Sequence, residues 1–124
     1  MDRQIIVVTR EAHLRDSLVR VCSGQGCSVG TADSVAIGLE IAARGPVCAV
    51  VADASLQVVG DGVGLAKAIH KQNPDAQCFL IVKEDPAHDM KSEDSEPWLR
   101  FIHTPIPMLR FAAELVDVIH ESCG

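Results

Sequence analysis

The chain has 124 residues, which at roughly 100 to 200 residues per domain makes one domain, 1–124. Apolar residues at 48% and charged residues at 23% exclude a disordered or collagen-like chain. A net charge of −6 with scattered Lys and Arg excludes direct binding of duplex DNA, which needs a positive footprint.

A chain this long buries about two-thirds of its unfolded surface, enough for a core without disulfides or a structural metal. Its apolar runs are too short to span a bilayer, and the stretch before Thr9 is too short for a secretory signal. The expectation is a soluble cytoplasmic protein with no membrane contact. The five cysteines, Cys22, Cys27, Cys48, Cys78 and Cys123, are odd in number and form no C-x-x-C pair. They are expected to act as small buried hydrophobes in a reducing compartment, neither zinc-bound nor bridged.

Two periods alternate along the chain. Ile5 to Val8 is a β-branched run suited to a strand buried on both faces. Leu14, Leu18, Val21 and Cys22 fall on one helical face, with Gly24 as the stop. Cys27 to Ala32 reads as a weaker strand. Asp33 or Ser34 can cap a second helix with Val35, Leu39 and Ala42 inward, ending at Gly45 and Pro46. Val47 to Ala52 is a second strong strand that stops abruptly at Asp53. A third helix runs from Asp61 or Gly62 to Gln72, with Leu65, Ala68 and Ile69 inward, stopped by Asn73 and Pro74.

Cys78 to Val82 is the next strong strand, ending at Lys83. Periodicity then fails from Lys83 to Pro97, where six acidic residues crowd around Met90, so a loop or a short exposed turn of helix is expected. Leu99 to His103 is the last strand. A final helix carries Leu109, Ala112, Val116 and Ile119 inward. Strands alternating with helices imply an α/β fold with a parallel sheet and helices on both faces.

In such sheets the working crevice lies outside the carboxyl ends of the strands. Those ends carry Thr9 and Arg10, then Asp53, Lys83 and Thr104. Asp53 is the informative residue, because a carboxylate closing a six-residue apolar run is costly to bury without a cation or several donors. The plainer alternative is an aspartate capping the following turn. Gly60-Asp61-Gly62-Val63-Gly64 lacks the Lys-Ser or Lys-Thr of a phosphate loop and reads as a turn before the third helix. The histidines show no metal-ligand spacing, and no catalytic constellation is evident, so the chain is read as a non-enzyme.

The order of elements, Val47-Cys48-Ala49-Val50-Val51-Ala52-Asp53, Asp61-Gly62 and Phe101-Ile102-His103-Thr104-Pro105 together resemble the receiver domain of two-component response regulators. The resemblance covers nearly the whole chain. It implies a flavodoxin-like (CheY-like), doubly wound, five-stranded parallel sheet. It matches Asp53 to the phosphoacceptor, Phe101 to the switch aromatic, and Pro105 to the proline that follows a cis peptide bond. It further implies a protein partner, either a histidine kinase or an output domain.

Several positions depart from the family pattern. The acidic pair that binds Mg²⁺ in the family is replaced by Thr9 and Arg10, with Glu11 one position later. Lys83 stands where the family has a hydroxyl, and Thr104 where it has a lysine. The family's fourth helix is degraded between Lys83 and Pro97. A pseudo-receiver is therefore expected, acting by protein contact, with phosphorylation of Asp53 weak or lost and no cofactor beyond weakly held Mg²⁺. Two alternatives stay open: a working phosphoacceptor with atypical kinetics, and a small α/β protein binding a ligand in the same crevice. Lys83 or Arg10 is expected to pair with Asp53 in place of the metal.

Overall fold

The apolar runs form five strands: β1 (Gln4–Val8), β2 (Ser28–Ala32), β3 (Val47–Asp53), β4 (Gln77–Val82) and β5 (Leu99–His103). They make one sheet in the order β2-β1-β3-β4-β5, parallel throughout. The computed structural model describes residues 3–24, 26–82, 96–104 and 106–123. This strand order is the flavodoxin-like, doubly wound one, with its topological switch between β1 and β3. β3 is buried along its full length, as a central strand covered on both faces must be. The region expected to lose periodicity lies largely outside the described residues, as do Lys83, Pro105 and the Thr104–Pro105 peptide.

Among the described residues four helices cover the sheet: α1 (Ala12–Cys22), α2 (Val35–Ala42), α3 (Asp61–Gln72) and α4 (Met108–Cys123). On one face α2 and α3 bury Ile41, Val63, Leu65 and Ile69 against Ile6, Val50 and Leu80. On the other, α1 and α4 bury Leu18, Phe111, Leu115 and Ile119 against Ile5, Val7 and Phe79. Ser34 is the cap of α2, its Oγ accepting the Ile37 N–H at 3.3 Å. No helix among the described residues is long and apolar enough to cross a membrane.

Three inward faces differ from the sequence reading. In α4 the core stripe is Phe111, Leu115, Val118 and Ile119, while Leu109 is 92% exposed. Two overlapping stripes share Ile119, and the one carrying Phe111 and Leu115 wins because it removes more apolar area from water than Ala112 and Val116 can. In α2 the buried residues are Gly38 and Ile41, and Leu39 is exposed. A Cβ on Gly38 would sit 3.3 Å from a Leu65 methyl, so the absent side chain lets α2 close on α3 and centres the contact there. In α3, Val63 and Ala66 are buried in place of Ala68, which is exposed.

The cysteines also need correction. Cys22 and Cys78 are buried thiols, as expected, and burial pushes them up to about 11 and about 12, with Cys27 adding to the rise at Cys22. Cys48, however, is disulfide-bonded. Spacing along the chain misses this because the fold gathers Cys22, Cys27 and Cys48 from the end of α1, the entry to β2 and the start of β3.

Candidate functional site

Strand register builds the site at the carboxyl edge. Val8 pairs with Ala52, so the next residues, Thr9 and Asp53, stand level on adjacent strands. Alternation puts both side chains on the face shared by Val7 and Val51. Both are buried, Thr9 1% and Asp53 6% exposed. The Thr9 hydroxyl donates to Asp53 Oδ2 at 2.8 Å, and the Arg10 N–H points to the same oxygen at 3.4 Å. Thr9 Oγ1 in turn accepts the Glu11 N–H at 3.2 Å, which fixes the turn into α1. The hydroxyl thus carries one hydrogen bond out and one in, and its rotor is set.

Arg10 does not bridge the carboxylate as expected. Its guanidinium donates to the Leu56 carbonyl at 3.3 Å, and its contact with Asp53 is made by the backbone. The flexible stem lets the cation leave the buried carboxylate for a partly exposed carbonyl on the neighbouring loop. Lys83, the other expected partner, lies outside the described residues. Glu11 is exposed at the N-terminus of α1. Thr104 stands past the end of β5, two strands from Asp53, its N–H donating to the Val82 carbonyl. Phe101 is half-buried against the α2/α3 side of the core.

The loop after Asp53 is organised by Asp61, which sequence alone marks only as a helix start. Asp61 accepts the N–H groups of Leu56, Gln57 and Val58 at 2.6, 3.0 and 3.2 Å. Ser55 Oγ accepts the Gly60 N–H at 3.0 Å. Gly60 has φ 81°, the left-handed region that favours glycine. Gly62 packs so tightly under β3 that a Cβ there would lie 1.8 Å from the Asp53 carbonyl oxygen. The D-G signal at 61–62 therefore marks two needs, a carboxylate for the loop and an absent side chain for the strand.

Burial acts to raise the Asp61 carboxyl, but the N–H groups of Leu56, Gln57, Val58 and Gly62 outweigh it and hold the group below the usual carboxylate range. A depressed folded value means that the stabilisation is complete above the unfolded value near pH 4 and is lost as pH falls through the folded one. Amide resonances of Leu56, Gln57 and Val58 are expected to shift together on acidification below about pH 4. In Asp61→Ala that concerted shift should be absent.

No protein-family model and no curated protein matches the chain. Solved structures do match. A response regulator receiver protein from Sinorhizobium medicae WSM419 superposes with a TM-score of 0.76 at 18% identity, over 98% of this chain and 94% of that one. A two-component transcriptional regulator from Clostridium phytofermentans ISDg gives 0.78 at 20% identity, over 96% and 94%. The fold is that of response regulator receiver domains. A third neighbour is a structure of a histidine kinase in complex with a response regulator protein, with a TM-score of 0.70 at 19% identity, over 94% and 98%.

On this receiver fold, Asp53 occupies the end of the central strand, facing the crevice. The described residues around it do not fit Mg²⁺. A hard divalent cation wants carboxylate oxygens, whereas the turn after β1 offers Asp53 a hydroxyl proton from Thr9 and a backbone N–H from Arg10. Arg10 also places a fixed positive charge on the adjoining Leu56 carbonyl. Among the described residues, no group of three or more His, Cys, Asp or Glu could hold a metal ion.

Proposed function

We propose that this chain is a receiver-like signalling module of two-component systems that acts through protein contact, with phosphorylation at Asp53 weak or lost, and that it is not itself an enzyme. The observation that carries this reading is the 2.8 Å hydrogen bond from Thr9 to Asp53. It satisfies a buried carboxylate with a neutral donor at the place where the receiver family carries metal-binding acids. Phosphoryl transfer needs charge on the transferring oxygens to be neutralised, and a hydroxyl supplies none of the two positive charges of Mg²⁺. The crevice is thereby held in one state without a metal.

The partner in this reading is a protein, a histidine kinase or an output domain or protein, with no direct contact to nucleic acid or membrane, and the place of action is the cytoplasm. The solved kinase complex of a similarly folded regulator supports a protein partner of this kind. Calorimetric titration with Mg²⁺ tests the reading. No saturable binding is expected at concentrations up to several millimolar, because the residues that follow β1 and bond Asp53 are Thr9 and Arg10, neither of them a carboxylate. Millimolar or tighter binding that disappears in Asp53→Asn would show that the crevice keeps the metal chemistry of a phosphoacceptor.

A further inference from the structure

The opposite edge of the sheet holds a cluster of sulfur that the receiver reading does not use. β3 shifts register beside Gln4 and Ile5, so Cys48 and Ala49 both turn to the α1/α4 face. Cys48 is fully buried and disulfide-bonded. Cys27, at the entry to β2, places its Sγ 4.0 Å from Cys48 Sγ. Cys27 is half-buried, where Cys22 is fully buried. Cys27 is thus within reach of both solvent and the bonded sulfur.

We propose that Cys27 is a thiol–disulfide exchange residue that couples the buried Cys48 disulfide to thiols in solution. In the forward step the Cys27 thiol gives its proton to water, and the thiolate attacks Cys48 Sγ. A Cys27–Cys48 bond forms as the existing bond to Cys48 breaks, and the displaced sulfur leaves as a thiolate that takes up a proton. The number of disulfides is unchanged, so no oxidant is required. A small external thiol then attacks Cys27 Sγ at the surface. It leaves Cys48 as a thiol and carries the disulfide away as a mixed disulfide, which a second thiol equivalent resolves.

Contact at 4.0 Å must close to about 2.0 Å for a bond. Gly24 and Gly26 both adopt left-handed backbone, and an added Cβ on either would meet nothing within 4 Å. Cys22 is a poor competitor as nucleophile, since its thiol stands at about 11, raised by burial and then by Cys27 itself.

The test is the rate at which dithiothreitol reduces the Cys48 disulfide in the native full chain, after prior oxidation with glutathione disulfide. Acid quenching, alkylation and peptide mass analysis report each cysteine separately. Cys27→Ser and Cys27→Ala are each expected to slow reduction of Cys48 by about tenfold or more, while Cys22→Ser changes it less than about twofold. The quenched wild-type digest should contain a Cys27–Cys48 linked peptide. Unchanged rates in both Cys27 variants overturn the proposal, and so does a Cys48 that remains fully alkylatable after oxidation. Asp53 stands at the other end of β3, so these results are independent of the Mg²⁺ titration.

Discussion

Gly62→Ala is expected to destabilise the protein by at least about 3 kcal/mol, at the top of the range for inserting one methyl into a packed interior. The added Cβ would lie 1.8 Å from the Asp53 carbonyl oxygen and 2.9 Å from atoms of Ala54, all of them backbone. No rotamer can relieve such contacts, so the start of α3 must move off the end of β3. That movement breaks the Gly62 N–H to Ala54 carbonyl bond and tilts Asp61 away from the loop it holds. Gly64, two residues on, is the internal control. It is exposed, and a Cβ there meets nothing within 4 Å. Gly64→Ala should therefore raise stability by about 0.5 to 1 kcal/mol through helix propensity. Urea unfolding of the two variants measures both, and equal effects would show that α3 is not seated as described.

Thr9→Val is the second large effect, expected to cost about 1 to 3 kcal/mol, the range for a buried polar group that loses its partner. Valine keeps the shape and the β-branch, so packing on β1 is conserved while Asp53 Oδ2 loses its 2.8 Å donor. The Glu11 N–H loses its acceptor at the same time, which loosens the first turn of α1. Thr9→Ser should lose much less, since it retains the hydroxyl. Combining Thr9→Val with Asp53→Val should cost less than the two single changes added together, because the carboxylate that lost a donor is removed with it. Strict additivity in thermal unfolding would mean that the two residues do not act as a pair.

The fold was legible because its two periods are strong where they matter. Ile5 to Val8, Val47 to Ala52 and Cys78 to Val82 are strands by composition, and the segments between them carry the helical period and the weaker strand β2. Helix faces were less legible. Leu109 and Phe111 lie on stripes that share Ile119, and periodicity alone does not weigh a phenyl ring against an alanine. At the site, Thr9 and Asp53 could both be placed at the crevice from strand ends. Their bond follows from register, Val8 against Ala52, which no single strand contains. A long side chain such as Arg10 has several acceptors within reach, and the choice of Leu56 over Asp53 depends on a loop shape set by Asp61. The sulfur cluster was invisible for the same reason as the Thr9 bond, since it joins residues that only the sheet brings together.

In the proposed reading Asp53 is held by Thr9, and its phosphorylation is weak or lost. Incubation of the intact protein with a small acyl phosphate and Mg²⁺, followed by intact mass measurement, tests it directly. The account predicts no species heavier by one phosphoryl group at times when an active receiver domain, run alongside, is largely modified. A stable adduct that requires Mg²⁺ and vanishes in Asp53→Asn would contradict it.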